Sequence, residues 1–236
     1  MSKLASPLQI SPLDLFTTST TKTADLGALA MTADGRKFRY ALAGGSALVA
    51  GKLQQASAEV TADQNLTAVA AAVGDTTISA SSTVTVTANQ YAEGWALISV
   101  TPGVGQMYQI SGHAAFTAAA PTFTLSDPIR VLLTTSSRID LVANPYASVI
   151  VNPATATSVP VGVAVANNAS ATYGWIQTGG VANVLADGAL TVGVNLSASN
   201  AVAGAVEAAV TAQASVGVAV TGIADTQYGA VYLRLD

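Results

Sequence analysis

Val161-Gly162-Val163-Ala164-Val165 recurs 55 residues later as Val216-Gly217-Val218-Ala219-Val220. Each copy is followed at the same offset by an alanine (Ala169, Ala224) and by a Tyr-Gly pair (Tyr173-Gly174, Tyr228-Gly229). A repeated offset is stronger evidence than repeated letters in a chain so rich in Ala, Val and Gly. Each copy reads as strand, loop, strand, with three valines on one face and Gly and Ala on the other where a second backbone can come close. The expected unit is a β-hairpin. Between the copies, Thr178-Gly179-Gly180 and Asp187-Gly188 read as turns. In the last segment Tyr228, Ala230, Tyr232 and Arg234 fall on one face and Val231, Leu233 and Leu235 on the other, the pattern of a half-buried strand whose outer face can meet another surface.

Working outward, similar short β-branched patches occur at 37–43, 83–87, 95–100, 107–111, 122–125, 129–134, 138–142 and 148–151, most bounded by Gly, Pro, Asn or Asp. Many short strands with frequent turn signals predict a mainly β chain of sandwich-like or barrel-like domains with antiparallel strands. The Ala-rich runs 56–73 and 200–214 leave room for one or two short helices. Residues 1–28, rich in Ser, Thr and Leu with Pro7 and Pro12, read as an extended arm that a neighbour could order. A boundary near Asn144-Pro145 then separates an amino-terminal β region, 29–144, from a carboxy-terminal β domain, 145–236, that holds the hairpin repeat.

The composition narrows function. Of the 236 residues only 9% are charged, against about 25% in an ordinary soluble domain. Hydrophobic residues make up 50% and aromatic ones 6%, so the apolar content is mostly small side chains. No run of about 18 apolar residues suits a membrane-spanning helix. The expectation is a protein covered by neighbours, not one embedded in lipid. A formal net charge of -4 argues against direct nucleic-acid binding. The local basic cluster of Arg36, Lys37 and Arg39 is split between two faces of its strand.

Catalytic signatures are sparse. There is no cysteine and a single histidine, His113, so a zinc site would need mostly carboxylates. His113 lacks a G-x-S-x-G partner and reads as a structural histidine in a turn or at a strand end. Gly45 to Lys52 has five residues between its glycines and Leu53 after the lysine, so it is not a Walker loop. Tyr108 stands where a dinucleotide fold starting at Gly103-Val104-Gly105 would need its third glycine. The sequons at Asn65, Asn168 and Asn195 are unremarkable in a chain rich in Ser, Thr and Asn, and no secretory signal is read at the amino terminus. The chain is expected to be non-enzymatic, with no cofactor and no metal.

Several stretches carry a family resemblance: Tyr173-Gly-Trp-Ile-Gln-Thr-Gly-Gly180, Val184-Leu-Ala-Asp-Gly188, Ala201-Val-Ala-Gly204, Val216-Gly-Val-Ala-Val220 and Gly229-Ala-Val-Tyr-Leu233. With Ala33-Asp34-Gly35-Arg36-Lys37-Phe38-Arg39-Tyr40-Ala41, Gly44-Gly45 and Ala50-Gly51-Lys52-Leu53, they cover about half the chain. The pattern resembles the capsid decoration, or cement, proteins of tailed bacteriophages. That resemblance implies a homo-oligomer, a trimer by preference, assembled in the host cytoplasm and bound to the major capsid protein on the outer surface of the virion head. It transfers no catalytic residue. The expected capsid contacts are Leu4, Leu8, Ile10, Leu13 and Phe16 in the arm and Arg36, Arg39 and Tyr40 in the first strong strand. Two alternatives stay open: another virion component such as a head fibre, tail or shell protein, and a carbohydrate-binding β-sandwich using Trp95, Trp175 and the tyrosines.

Overall fold

A computed structural model describes residues 8–81, 85–117, 120–210 and 213–236. It is mainly β, as the strand pattern predicts, and divides into two compact units. One unit comprises residues 1–58 and 145–236, and the other is the intervening Glu59–Asn144. The expected grouping of 29–144 is therefore corrected. Residues 29–58 belong with the carboxy-terminal half, because their strands pair there across a long sequence separation that local patterns do not report.

In chain order the first unit opens with β1 (Leu8–Gln9), helix α1 (Pro12–Leu15), β2 (Leu29–Met31), β3 (Lys37–Leu42) and β4 (Leu53–Gln55). Helix α1 lies in the expected arm, where Ser11 caps the backbone of Asp14 and Pro12 begins the first turn. Neither Ala-rich run forms an α-helix among the described residues. The first holds the 3-10 turn Thr61–Asp63 and a two-residue strand, Leu66–Thr67.

The inserted unit contains β5 (Leu66–Thr67), β6 (Thr77–Ser79), β7 (Thr85–Val86), β8 (Trp95–Val100), β9 (Met107–His113), β10 (Phe116–Thr117), β11 (Thr122–Leu125) and β12 (Arg138–Val142). Six of these form a sheet in the order β5-β12-β8-β9-β11-β6, while β7 pairs with β10. An Ala68–Ala80 bridge joins the two sheet edges, with the Val69 N–H donating to Ser79 O at 2.9 Å and the Ser81 N–H to Thr67 O at 2.8 Å. The sheet thus closes into a small barrel and leaves no free edge there. Alternation fills its interior: Tyr108 and Ile110 of β9 and Phe123 and Leu125 of β11 point inward between exposed neighbours. The expected strand at 129–134 is absent. Ile129 and Leu133 are buried, but the backbone of the segment bonds to other backbone segments only in isolated places, Ile129 with Gly74 and Asp75 and Leu133 with Ala71, without forming a ladder.

The chain returns through β13 (Ile150–Val151), β14 (Pro160–Ala164), β15 (Tyr173–Leu185), β16 (Asn195–Ala198), β17 (Val206–Ala208), β18 (Gly217–Ala219) and β19 (Tyr228–Arg234). Here the hairpin repeat proves to be part of a larger one. β14 pairs with the start of β15 at Val163–Gln177 and Ala164–Ile176, and β18 pairs with β19 at Val218–Tyr232 and Ala219–Val231, every position shifted by 55 residues. The correspondence extends to three more strand pairs. Leu53–Val163 and Gln54–Gly162 match Asn195–Val218 and Leu196–Gly217. Gln54–Val151 and Gln55–Ile150 match Leu196–Ala208 and Ser197–Glu207. Ala41–Gly174 and Tyr40–Trp175 match Val184–Gly229 and Asn183–Ala230.

The unit is thus two copies of a five-stranded motif. The first copy is β3, β4, β13, β14 and residues 173–178 of β15, and the second is residues 179–185 of β15, then β16, β17, β18 and β19. In both, the spatial order is first, fifth, fourth, second, third strand. Even the irregular backbone repeats: Ala171 and Thr226, at equivalent loop positions, both have positive φ, 56° and 61°. The barrel is inserted between the second and third strands of the first copy, where the second copy has only the short link between β16 and β17.

β15 carries the junction. Gly179-Gly180, expected as a turn, instead sits inside this 13-residue strand at a register shift between Gln177 and Gly179. Gly180 has φ +81°, and the buried Gln177 Nε2 donates to Gly179 O and Val181 O at 3.1 and 2.9 Å, bridging the bulge. The valines of the first repeat do not share one face either. A register shift at Pro160/Gly162 sends Val161 and Val163 to different core clusters.

Candidate interaction surface

The expected contact residues separate into three groups. Leu13 and Phe16 are exposed at 83% and 58%, and Leu8 at 37%. Ile10 is half-buried against Leu15, Ala30 and Phe38, and Leu4 lies outside the described residues. Tyr40 is corrected from contact to core. It is 3% exposed, its ring stacks 5.8 Å from Tyr173 and meets Trp175 edge-on at 5.1 Å, and its hydroxyl hydrogen-bonds Thr23 Oγ1 at 2.8 Å. The amino-terminal segment, folding back over β3, is what buries it.

The basic cluster is largely committed within the chain. Arg39 grips Asp236 with two hydrogen bonds of 2.8 and 3.0 Å and donates to Gly27 O at 2.8 Å. Burial alone would raise the Asp236 carboxyl, but hydrogen bonds from Arg39 and Thr178 outweigh it and hold the group below the usual carboxylate range. Arg36 pairs with Asp34 at 2.8 Å and lies 5.6 Å over the Phe38 ring. Chiefly the Thr32 hydrogen bond, with those from Arg36, draws Asp34 down to about 2. Arg36 is thus a wall of the surface, not a free charge.

Phe16 and Arg36 come together at an open groove of about 430 Å³ in the repeat-containing unit. Its other walls include Val165, Val181 and Tyr228, so it joins the arm to the second repeat. Beyond it, β19 presents Tyr228 and Tyr232 at 45% and 48% exposure, beside Val181 at 48% and Val220 at 42%, while Val231 and Leu233 of the same strand are buried. The outer face read from alternation in the last strand is present. The groove was not legible, because the residues lining it are scattered from 16 to 228.

The histidine is structural in its contacts. His113, at the end of β9 and 8% exposed, accepts the Tyr91 N–H at Nε2, 3.0 Å, and with the proton on Nδ1 donates to Ala114 O at 2.9 Å. Both ring nitrogens are occupied by backbone, leaving neither to take a proton from a hydroxyl nucleophile. Nearby, the Tyr91 hydroxyl donates to the buried Asp63, whose other oxygen, Oδ1, is buried without a hydrogen-bond partner among the described residues. Burial first, then the Asp63 bond and charge, push the Tyr91 phenol well up. Tyr91→Phe is expected to destabilise the barrel by about 1–3 kcal/mol, because the carboxylate then loses its donor in a buried setting. Urea denaturation monitored by fluorescence measures this, and an unchanged midpoint refutes it.

Among the described residues no cluster of three or more His, Cys, Asp or Glu could hold a metal ion. Among those residues no helix is long and apolar enough to cross a membrane. No family model, curated protein or solved structure matches the chain.

Proposed function

We propose that the chain is a structural subunit of a larger shell, in its most specific form a decoration protein that binds the outside of a tailed-phage head and clamps neighbouring capsomers. The observation that carries this reading is the coincidence of a 9% charged fraction with large apolar side chains, Leu13, Phe16, Val181, Tyr228 and Tyr232, left outside one unit. Phe16, Val181 and Tyr228 meet at one groove, and exposed apolar groups gathered in this way mark interaction surfaces.

The physics suits a clamp. A standard interface buries roughly 1,600 Å² in total, and burial of apolar area contributes about 25 cal/mol per Å² before the costs of association. Such a contact resists separation of its partners without a cofactor or a reaction. The major capsid protein is the proposed partner.

Heads lacking the protein, incubated with purified chain and then heated, test the proposal. Bound protein at a fixed stoichiometry and a higher temperature of DNA release are expected. Heads that neither bind it nor gain heat resistance overturn the reading.

A further inference from the structure

We infer that the outer face of the second repeat is a docking site for helix α1 of a second copy of this chain, so that subunits associate through two different patches. The comparison of the two repeats carries this. In the first, the face formed by β3 and residues 173–178 is covered: Phe38 is 0% exposed, Tyr40 3% and Gln177 2%. Its cover is the amino-terminal segment, with Leu15 and Ala30 packed on Phe38 and β2 hydrogen-bonded along β3.

In the second repeat the equivalent positions are bare. Val181 stands where Phe38 stands and is 48% exposed, Tyr232 replaces Gln177 and is also 48% exposed, and Asn183 takes the place of Tyr40 in the open. Among the described strands, none runs along the edge of β15 that corresponds to the β2 edge of β3. The chain has two such faces and one covering segment. Half of the motif's own requirement is therefore unmet within a single subunit.

The covering segment is itself incompletely covered. Leu15 faces inward, but Leu13 is 83% exposed, and Phe16, 58% exposed, stands at the open groove that Val181 and Tyr228 also line. Two apolar side chains with an acidic Asp14 between them match a face of Val181, Tyr228 and Tyr232 that carries Arg234, also exposed. Among the described residues neither Asp14 nor Arg234 forms a salt bridge. Helix α1 then lies between two repeats, its inner side on its own first repeat and its outer side on a neighbour's second. Because donor and acceptor residues differ, two chains satisfy both by reciprocal contact about a two-fold axis, and three or more by a head-to-tail ring.

This goes beyond the proposed shell role and does not depend on the phage head, so the test uses purified protein alone. Sedimentation velocity at micromolar concentration compares the wild type, a Leu13→Ser/Phe16→Ser donor variant, a Val181→Glu/Tyr232→Glu acceptor variant, and an equimolar mixture of the two variants. All four substitutions are at exposed positions, so unchanged circular dichroism and melting are expected. The wild type should be oligomeric, each variant should associate at least about 30-fold more weakly, as loss of apolar anchors produces, and the mixture should form a one-to-one heterodimer through its one intact contact. A monomeric wild type, a variant that keeps the wild-type mass, or a mixture that stays monomeric each overturns the inference. Failure to bind heads while this pattern holds counts only against the shell role.

Discussion

Gly217→Ala is expected to cost about 3–5 kcal/mol, enough to unfold much of the second repeat at ambient temperature. A Cβ built on Gly217 stands 2.4 Å from Tyr232 O and 3.1 Å from its carbonyl carbon. These are backbone atoms of the neighbouring strand. Relief requires β18 and β19 to separate, which breaks the pairing that holds Val231 and Leu233 against the core. Gly162, its counterpart in the first repeat, meets Gln177 O at 3.0 Å and the Ile176 side chain at 2.9 Å, and a side-chain tip can turn aside. Gly162→Ala should therefore be milder, about 1–3 kcal/mol. Gly45 has nothing within 4 Å and serves as the control, with an expected change within about 0.5 kcal/mol. Urea denaturation should rank them Gly217, Gly162, Gly45, and equal effects at Gly217 and Gly45 refute the close-approach argument.

Excising residues 59–144 and joining Ala58 to Pro145 through a short Gly/Ser linker should leave a folded protein. β4 and β13 pair antiparallel up to Gln55–Ile150, so the two cut ends leave the sheet from adjacent positions. The second repeat makes the same connection, β16 to β17, with a short link. A linker of this kind adds little closure entropy, since the cost grows only with the logarithm of loop length. The excised barrel has its own closed sheet and core cluster, and is expected to fold separately. Cooperative thermal melts and strand-type circular dichroism from both pieces are the expected result. An unfolded excision variant refutes the view that the barrel is a guest in one hairpin connection.

The insertion explains what was legible and what was not. The 55-residue match between Val161 and Val216 was visible because both hairpins lie after the insertion, so their spacing is undisturbed. The matching first and second strands of the motif were hidden. In the first copy the barrel separates them from their partners, and their residues have diverged: Leu53 answers to Asn195 and Tyr40 to Asn183. Gly179-Gly180 misled for a different reason. Two glycines signal a break in regular structure, but whether that break is a turn or a bulge depends on which strands flank it.

Much the same holds for the surface. The exposed and buried sides of β19 follow from period-two alternation, a property of a strand and one adjacent layer. That Tyr40 is core while Leu13 and Phe16 are exposed does not follow from any local pattern. It depends on the amino-terminal segment crossing β3, a contact between parts of the chain that no periodicity links.

The mainly β class, the final hairpins and the sparse charge are local properties, because strand alternation, turn chemistry and composition act over a few neighbouring residues. The tertiary structure alone decided the doubled motif, the guest barrel and the face left uncovered. Each of these depends on pairing or burial between segments far apart in the chain, where a residue's partner and not its own preference sets its place.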